Sequence, residues 1–295
     1  MNKRKSEKVF YTIVLVVLFI VTLTMLVPIL NILALSLSDP SRIDEVKGMT
    51  IIPKGFSLIN YKVLLSNPKV LRSIFNSLFI TITATTLNIL LTSISAYVLT
   101  RKGLIGRKFL LGMLIVIMVF EPGLVPEYLN IIRLGLVDSY LSVILYKAIN
   151  VYYLIILMRF FEEVPESLIE AAKIDGASHI TILFRIMLPL AKPAIATVGL
   201  FYTVFHWNEY FRASIYLNDT AKWPLQVVLR QFVVLDDTSS MIGAEKLLAF
   251  SDAAQLNYNA LQAGTIIIAM IPVLLLYPLI LKYFTKGTFD GGVKY

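Results

Sequence analysis

Glu170-Ala171-Ala172-Lys173-Ile174-Asp175-Gly176, followed after nine residues by Ile186-Met187-Leu188-Pro189, is a short polar island between two very hydrophobic segments. Pro165 suits the first turn of a helix, where its missing N–H is no loss. Leu168, Ala171 and Ala172 then share one helical face at i, i+3 and i+4. Two alanines leave little bulk on that face, so such a helix can seat deep in a groove. Glu162, Glu163, Glu166 and Glu170 complement the positive end of the helix dipole. Asp175-Gly176 ends the helix, because glycine tolerates the left-handed conformation of a C-cap. A second short helix, about 178–186, runs back to Leu188-Pro189 at the membrane. On these residues alone an ordinary amphipathic loop between two spans is the simpler account, and docking to a partner is the alternative.

The 295 residues are 57% hydrophobic and 16% charged, and mean hydropathy is +0.77. Soluble domains carry roughly 45–50% apolar and about 25% charged residues, so the excess goes beyond one globular core. Cysteine is absent, which excludes disulfides, thiol nucleophiles and thiolate metal sites. The two histidines, His179 and His206, lie far apart in sequence and argue against a histidine metal site. The net charge of +8 fits a positive-inside membrane protein better than a nucleic-acid binder.

A membrane span needs about 20 apolar helical residues. The pattern predicts six, over about 11–37, 73–100, 109–129, 139–161, 193–215 and 260–284, in a single permease domain covering 1–295. The first apolar run is too long for a signal peptide, whose apolar core is about 7–15 residues, and it reads as an uncleaved helix. The second is studded with small polar residues, among them Thr81, Thr85, Asn88 and Thr92. These suit close helix packing or a solute-lining role. The third is interrupted by Glu121-Pro122-Gly123 and Pro126, and the fourth contains Lys147 and Asn150. A snorkelling Lys147 is favoured over a solute role. The polar island occupies about 162–192, and a long polar stretch, about 216–258, precedes the last span.

Orientation follows the basic residues of short loops. Lys3, Arg4, Lys5 and Lys8 precede the first span, Arg101, Lys102, Arg107 and Lys108 follow the second, and Lys282, Lys286 and Lys294 close the chain. Six spans put all three groups, and the polar island, on the cytoplasmic side. The segment 38–72 has six basic and three acidic residues yet falls outside. It is longer and mixed in sign, so the short loops decide.

The spacing E-A-A-x3-G-x9-I-x-L-P resembles the EAA signature of membrane-spanning permeases of binding-protein-dependent ABC importers. The likeness extends to His206-Trp207-Asn208-Glu209-Tyr210, Tyr216-Leu217-Asn218, Trp223-Pro224-Leu225-Gln226, Leu134-Gly135-Leu136-Val137-Asp138 and the Gly-rich end. These look like parts of carbohydrate-uptake permeases of the MalG type, within them the LplC/YtcP-type subgroup linked to oligosaccharide import. Glu121-Pro122 departs from that pattern. The resemblance implies an all-α membrane protein: a six-transmembrane-helix type I ABC importer permease with a cytoplasmic coupling helix. Glu170, Ala171, Ala172, Asp175, Gly176, Ile186, Leu188 and Pro189 are then the ATPase-coupling residues. The implied partners are a second homologous permease, an ABC ATPase dimer, an extracellular substrate-binding lipoprotein and membrane lipid, with no nucleic acid. No cofactor is expected on this chain; ATP and Mg belong to the partner ATPase. The implied location is the bacterial plasma (inner) membrane, multi-pass, with both termini cytoplasmic. The implied function is a non-catalytic subunit that moves sugars, oligosaccharides above all, into the cell.

Asn88, His206, Trp207, Asn208, Glu209 and Tyr210 form a candidate solute path, since polar groups within spans are costly and functional by default. Trp207 and Tyr210 also suit an interfacial aromatic belt, and Glu209 a local cap. No P-loop motif occurs, so ATP is not bound through one here. A different ABC cargo and a stand-alone secondary transporter are the alternatives. The latter favours inverted repeats, which the sequence does not display.

Overall fold

The structure, a computed structural model, describes residues 3–235 and 257–289. Residues 236–256 of the polar stretch, the C-terminal Lys294 and Gly291-Gly292 lie outside the described residues. In chain order the helices are α1 (Lys3–Ser36), α2 (Ile59–Ser66), α3 (Pro68–Leu99), α4 (Arg107–Val119), α5 (Leu124–Arg133), α6 (Tyr140–Ile144) and α7 (Val151–Glu162). There follow α8 (Glu166–Ile174), α9 (His179–Ile182), α10 (Leu188–Leu190), α11 (Lys192–Asn208), α12 (Phe211–Tyr216), α13 (Leu225–Val233) and α14 (Tyr258–Phe289). Among the described residues the sole β element is an isolated antiparallel bridge, Ser38 with Phe56. This all-α result follows from composition, because long apolar segments in lipid must satisfy their backbone polar groups internally.

By length and composition α1, α3 and α14 can each cross a membrane. The number rises to five if two bent pairs each make one span. Helices α4 and α5 meet at 115°, across a break where Pro122 has no N–H and Gly123 has φ +80°. The segment His179–Leu190 meets α11 at 87°. The run expected as the fourth span is divided as well. Helix α6 is only five residues long, and α7 starts afresh where the Asn150 side chain accepts from the N–H groups of Tyr152 and Tyr153 at 3.0 and 3.3 Å. Between them Lys147 takes φ +49°. An N-cap Asn and a left-handed residue thus end helical continuity without a proline.

Two compact units divide the chain: Met1–Leu71 with Leu229–Ile271, and Arg72–Val228 with Pro272–Tyr295. In the first, the end of α1 is tied down by polar bonds. Ser38 donates to the Ala34 carbonyl at 2.6 Å, and Asn60 donates to the carbonyls of Ser36 and Ser38 at 3.0 and 3.2 Å. In the second, a core of Tyr97, Leu154, Leu157, Phe161, Ile169, Ile182, Leu183 and Met187 lies beneath the polar island.

Candidate functional site

Pro165 is the N-cap of α8 rather than its first helical residue, with ψ 128°. The expected boundary therefore shifts by one. Ile169 is buried in the core, whereas Leu168 and Ala171 are exposed and Ala172 is half-buried. At the other end Gly176 has φ +79°. Its N–H donates to the Lys173 carbonyl at 3.0 Å, and the Ala177 N–H reaches back to the Ala172 carbonyl at 2.9 Å. These paired bonds are a Schellman motif, whose left-handed residue is best supplied by glycine. Ala172 and Ala177, the two residues joined by the second of these bonds, are each partly buried against the core. A Cβ on Gly176 would meet nothing within 4 Å, so its φ, not crowding, calls for glycine.

The return segment is built as tightly. Ser178 caps α9, its hydroxyl accepting from the Thr181 N–H at 3.2 Å. Leu183–Met187 then forms a π-turn, immediately before Leu188-Pro189. Pro189 brings no N–H, and its ring crowds the carbonyl four residues back; the wider turn relieves this, with the Leu188 N–H bonded to the Leu183 carbonyl. Met187 is buried, Ile186 and Leu188 are half-buried, and Pro189 is exposed.

The loop after α3 reaches this segment. Arg107 pairs with Glu162 at 3.1 Å, and Lys102 pairs with Glu166. The hydrogen bond from Lys102 holds the Glu166 carboxyl below the usual carboxylate range. Tyr97 shares a 2.8 Å bond with His179, and Arg101 lies 4.7 Å over the Tyr97 ring. The end of α3, the basic loop, α8 and α9 thereby form one connected surface around a cavity of about 950 Å³.

The expected solute path is brought together only in part. Asn88 on α3 and His206 on α11 meet at 2.8 Å, both buried. Trp207 is buried, whereas Asn208 is exposed and donates to the Val204 carbonyl at 2.8 Å. Glu209 accepts from the Arg212 N–H at 2.9 Å and so acts as a local cap. Tyr210 is partly exposed. The residue reading missed Tyr202, which bonds Thr92 at 2.8 Å and accepts from the Asn150 N–H at 2.9 Å. It also missed two ion pairs, Lys147 with Glu121 at 3.0 Å and Arg212 with Glu127 at 3.6 Å. The available signal was charge inside apolar runs. A cavity of about 600 Å³ lies beside these pairs, lined by Phe120, Glu121, Glu127, Tyr146, Lys147 and Tyr152 among others. Among the described residues no cluster of His, Asp and Glu is placed to hold a metal.

A family model described as "Binding-protein-dependent transport system inner membrane component" matches residues 89–290. Two proteins of Bacillus subtilis (strain 168) are each 40% identical to this chain. The polygalacturonan/rhamnogalacturonan transport system permease protein YtcP aligns over 98% of this chain and 99% of its own. Protein LplC aligns over 100% and 98%. A crystal structure of a bacterial ABC transporter involved in the import of the acidic polysaccharide alginate contains a chain with TM-score 0.87 and 29% identity. The match covers 96% of this chain and 99% of that one.

Proposed function

Because the chain belongs to the family of binding-protein-dependent transport system inner membrane components, we propose that it is the permease subunit through which an ABC importer admits acidic oligosaccharides. The observation that carries the cargo class is the end-to-end 40% identity to a permease named for polygalacturonan and rhamnogalacturonan transport. The alginate importer, matched over nearly the whole chain, points the same way. The chain is a transport subunit, and ATP is hydrolysed elsewhere in the complex.

On this reading 1–295 is one permease domain with six spans. The bent pair α4 and α5 counts as one span, α11 with the residues after it supplies the span at 193–215, and the divided run 139–161 supplies the remaining one. Both termini and the 162–192 segment are cytoplasmic. The ion pairs from Arg107 and Lys102 support that side, since they join the basic loop to the same surface. Glu170, Ala171, Ala172, Asp175, Gly176, Ile186, Leu188 and Pro189 couple this subunit to an ABC ATPase that binds ATP and Mg. The exposed Leu168 and Ala171 on α8 form the docking face. A second homologous permease and a substrate-binding lipoprotein complete the importer in the inner membrane. Nucleotide binding on the ATPase shifts a two-state equilibrium here through the difference in its contacts to the two states.

The test is gentle affinity purification of this chain from its native membrane, with mass spectrometry of its companions, followed by reconstituted uptake. A second EAA-bearing permease, a Walker-motif ATPase and uptake of an oligogalacturonide are the expected results. A chain that arrives alone and transports without ATP would return the secondary-transporter reading.

A further inference from the structure

We infer that the cavity between the two helix breaks is a saccharide subsite in which Lys147 reads a sugar carboxylate and Glu121 is its resident competitor. This rests on the acidic-oligosaccharide reading above and adds which group of this subunit touches the cargo. Both breaks, residues 120–123 and 145–150, interrupt runs apolar enough to be read as spans. Non-helical backbone at membrane depth is tolerated where protein buries it or where it lines a cavity. Here it lines one of about 600 Å³, within the size range of small-molecule sites. Charged side chains at such depth face cavities and mark solute routes. Lys147 carries the local backbone cost of this arrangement, at φ +49°.

The charges divide into a fixed pair and an exchangeable one. Arg212 is committed: its guanidinium lies 4.4 Å over the Tyr146 ring and 3.6 Å from Glu127, with both side chains at least three-quarters covered. It braces Tyr146 rather than lining the cavity. Lys147 lines the cavity, and its ammonium holds Glu121 at 3.0 Å. The Glu121 side chain is 70% exposed and that of Lys147 34%. The pair is therefore open on the cavity side rather than enclosed, which leaves room for Glu121 to give way to another anion. A sugar carboxylate taking its place leaves the charge at Lys147 balanced throughout. The rings of Phe120 and Tyr152, which also line the cavity, offer apolar surface to the C–H side of a pyranose.

The experiment uses the complete importer in proteoliposomes, with trigalacturonate and its methyl ester as probes. The readout is the ratio of half-saturating concentrations, ester over acid. The binding protein contributes equally in every variant, and damage to the fold weakens both probes alike, so a change in the ratio isolates the carboxylate. Lys147→Met is expected to lower the ratio about tenfold, the scale of one charge-assisted contact. Lys147→Arg keeps it, and Glu121→Gln, which removes the competitor, raises it severalfold. An unchanged ratio in Lys147→Met overturns the subsite while leaving the carbohydrate reading intact. A wild-type importer that hydrolyses ATP yet takes up neither probe overturns the acidic-oligosaccharide reading itself.

Discussion

Replacing Gly176 separates what the coupling segment needs for its own fold from what its partner needs. The residue sits at φ +79° with no atom within 4 Å of a Cβ built on it. Alanine there meets only the backbone penalty of the left-handed region, roughly 1–2 kcal/mol. Asparagine, which visits that region more readily, meets less. The penalty acts on two bonds that close α8, Gly176 N–H to Lys173 and Ala177 N–H to Ala172. A loss of 1–2 kcal/mol lowers the population of the closed end by a factor of about 5–30. Tryptophan shares the backbone penalty and starts from a Cβ that meets nothing within 4 Å, so a loss well beyond the alanine level is expected to arise in the ATPase groove. The assay is copurification of the ATPase, together with ATP-driven uptake, for Gly176→Asn, Gly176→Ala and Gly176→Trp in membranes with matched permease levels. Activity is expected to fall in that order, with Trp abolishing uptake while the permease still reaches the membrane. Full uptake by Gly176→Trp would refute docking at this surface. Equal activity of Ala, Asn and wild type would refute the backbone argument.

Ala172→Asp places a charge at a half-buried position on the core beneath the island; it is expected to abolish uptake and ATPase copurification, read in the same two assays. Asn88→Leu strands the buried His206 without its 2.8 Å partner and is expected to cost about 1–3 kcal/mol, measured as a lower melting temperature of the purified importer. Asp138 and Lys222 tie the segment after α5 to the segment after α12 at 2.6 Å. The hydrogen bond with Lys222 lowers the Asp138 pKa, and the same bond raises that of Lys222. The carboxylate contribution is therefore complete above about pH 4, the unfolded value, and fades as pH falls through the lower folded pKa. The ammonium contribution is complete below about pH 10 and fades above it. Melting of the importer should accordingly differ between wild type and Asp138→Ala by a constant amount from about pH 5 to 9, and a difference that grows within that window would contradict the assignment. Asp138→Asn should melt closer to wild type, because Asn tolerates the φ of +58° and still accepts from the Asp219 N–H.

The island was largely legible because its signals are local. Asp175-Gly176 announces a helix end, and Ser178 a helix start, within a few residues of each other. The third run betrayed its bend through Pro122-Gly123. The fourth did not, since its break contains neither Gly nor Pro among residues 145–150. It rests on Lys147 accepting positive φ and on Asn150 capping the next helix, choices that tertiary packing enforces and a hydropathy pattern cannot express. The polar pairs were hidden for a related reason. Asn88 and His206 are 118 positions apart, and no period within one helix relates them. Reading 206–210 as a contiguous site also overlooked that the helix ends at Asn208. This sends Trp207 inward while Glu209 turns to cap the next element.

The π-turn at Leu183–Met187 gives the spacing of the island a meaning as a ruler. Each residue advances an α-helix by about 100°, and a π-turn accommodates one residue more than an α-turn does without passing that rotation on. The nine residues between Gly176 and Ile186 therefore set an angular phase as well as a length. Remove one within Leu183–Met187, and the turn tightens to an α-turn that leaves Leu188 and Pro189 in phase; insert one into His179–Ile182 instead, and they swing about 100° around the axis, carrying the half-buried face of the return segment away from the core that now receives it.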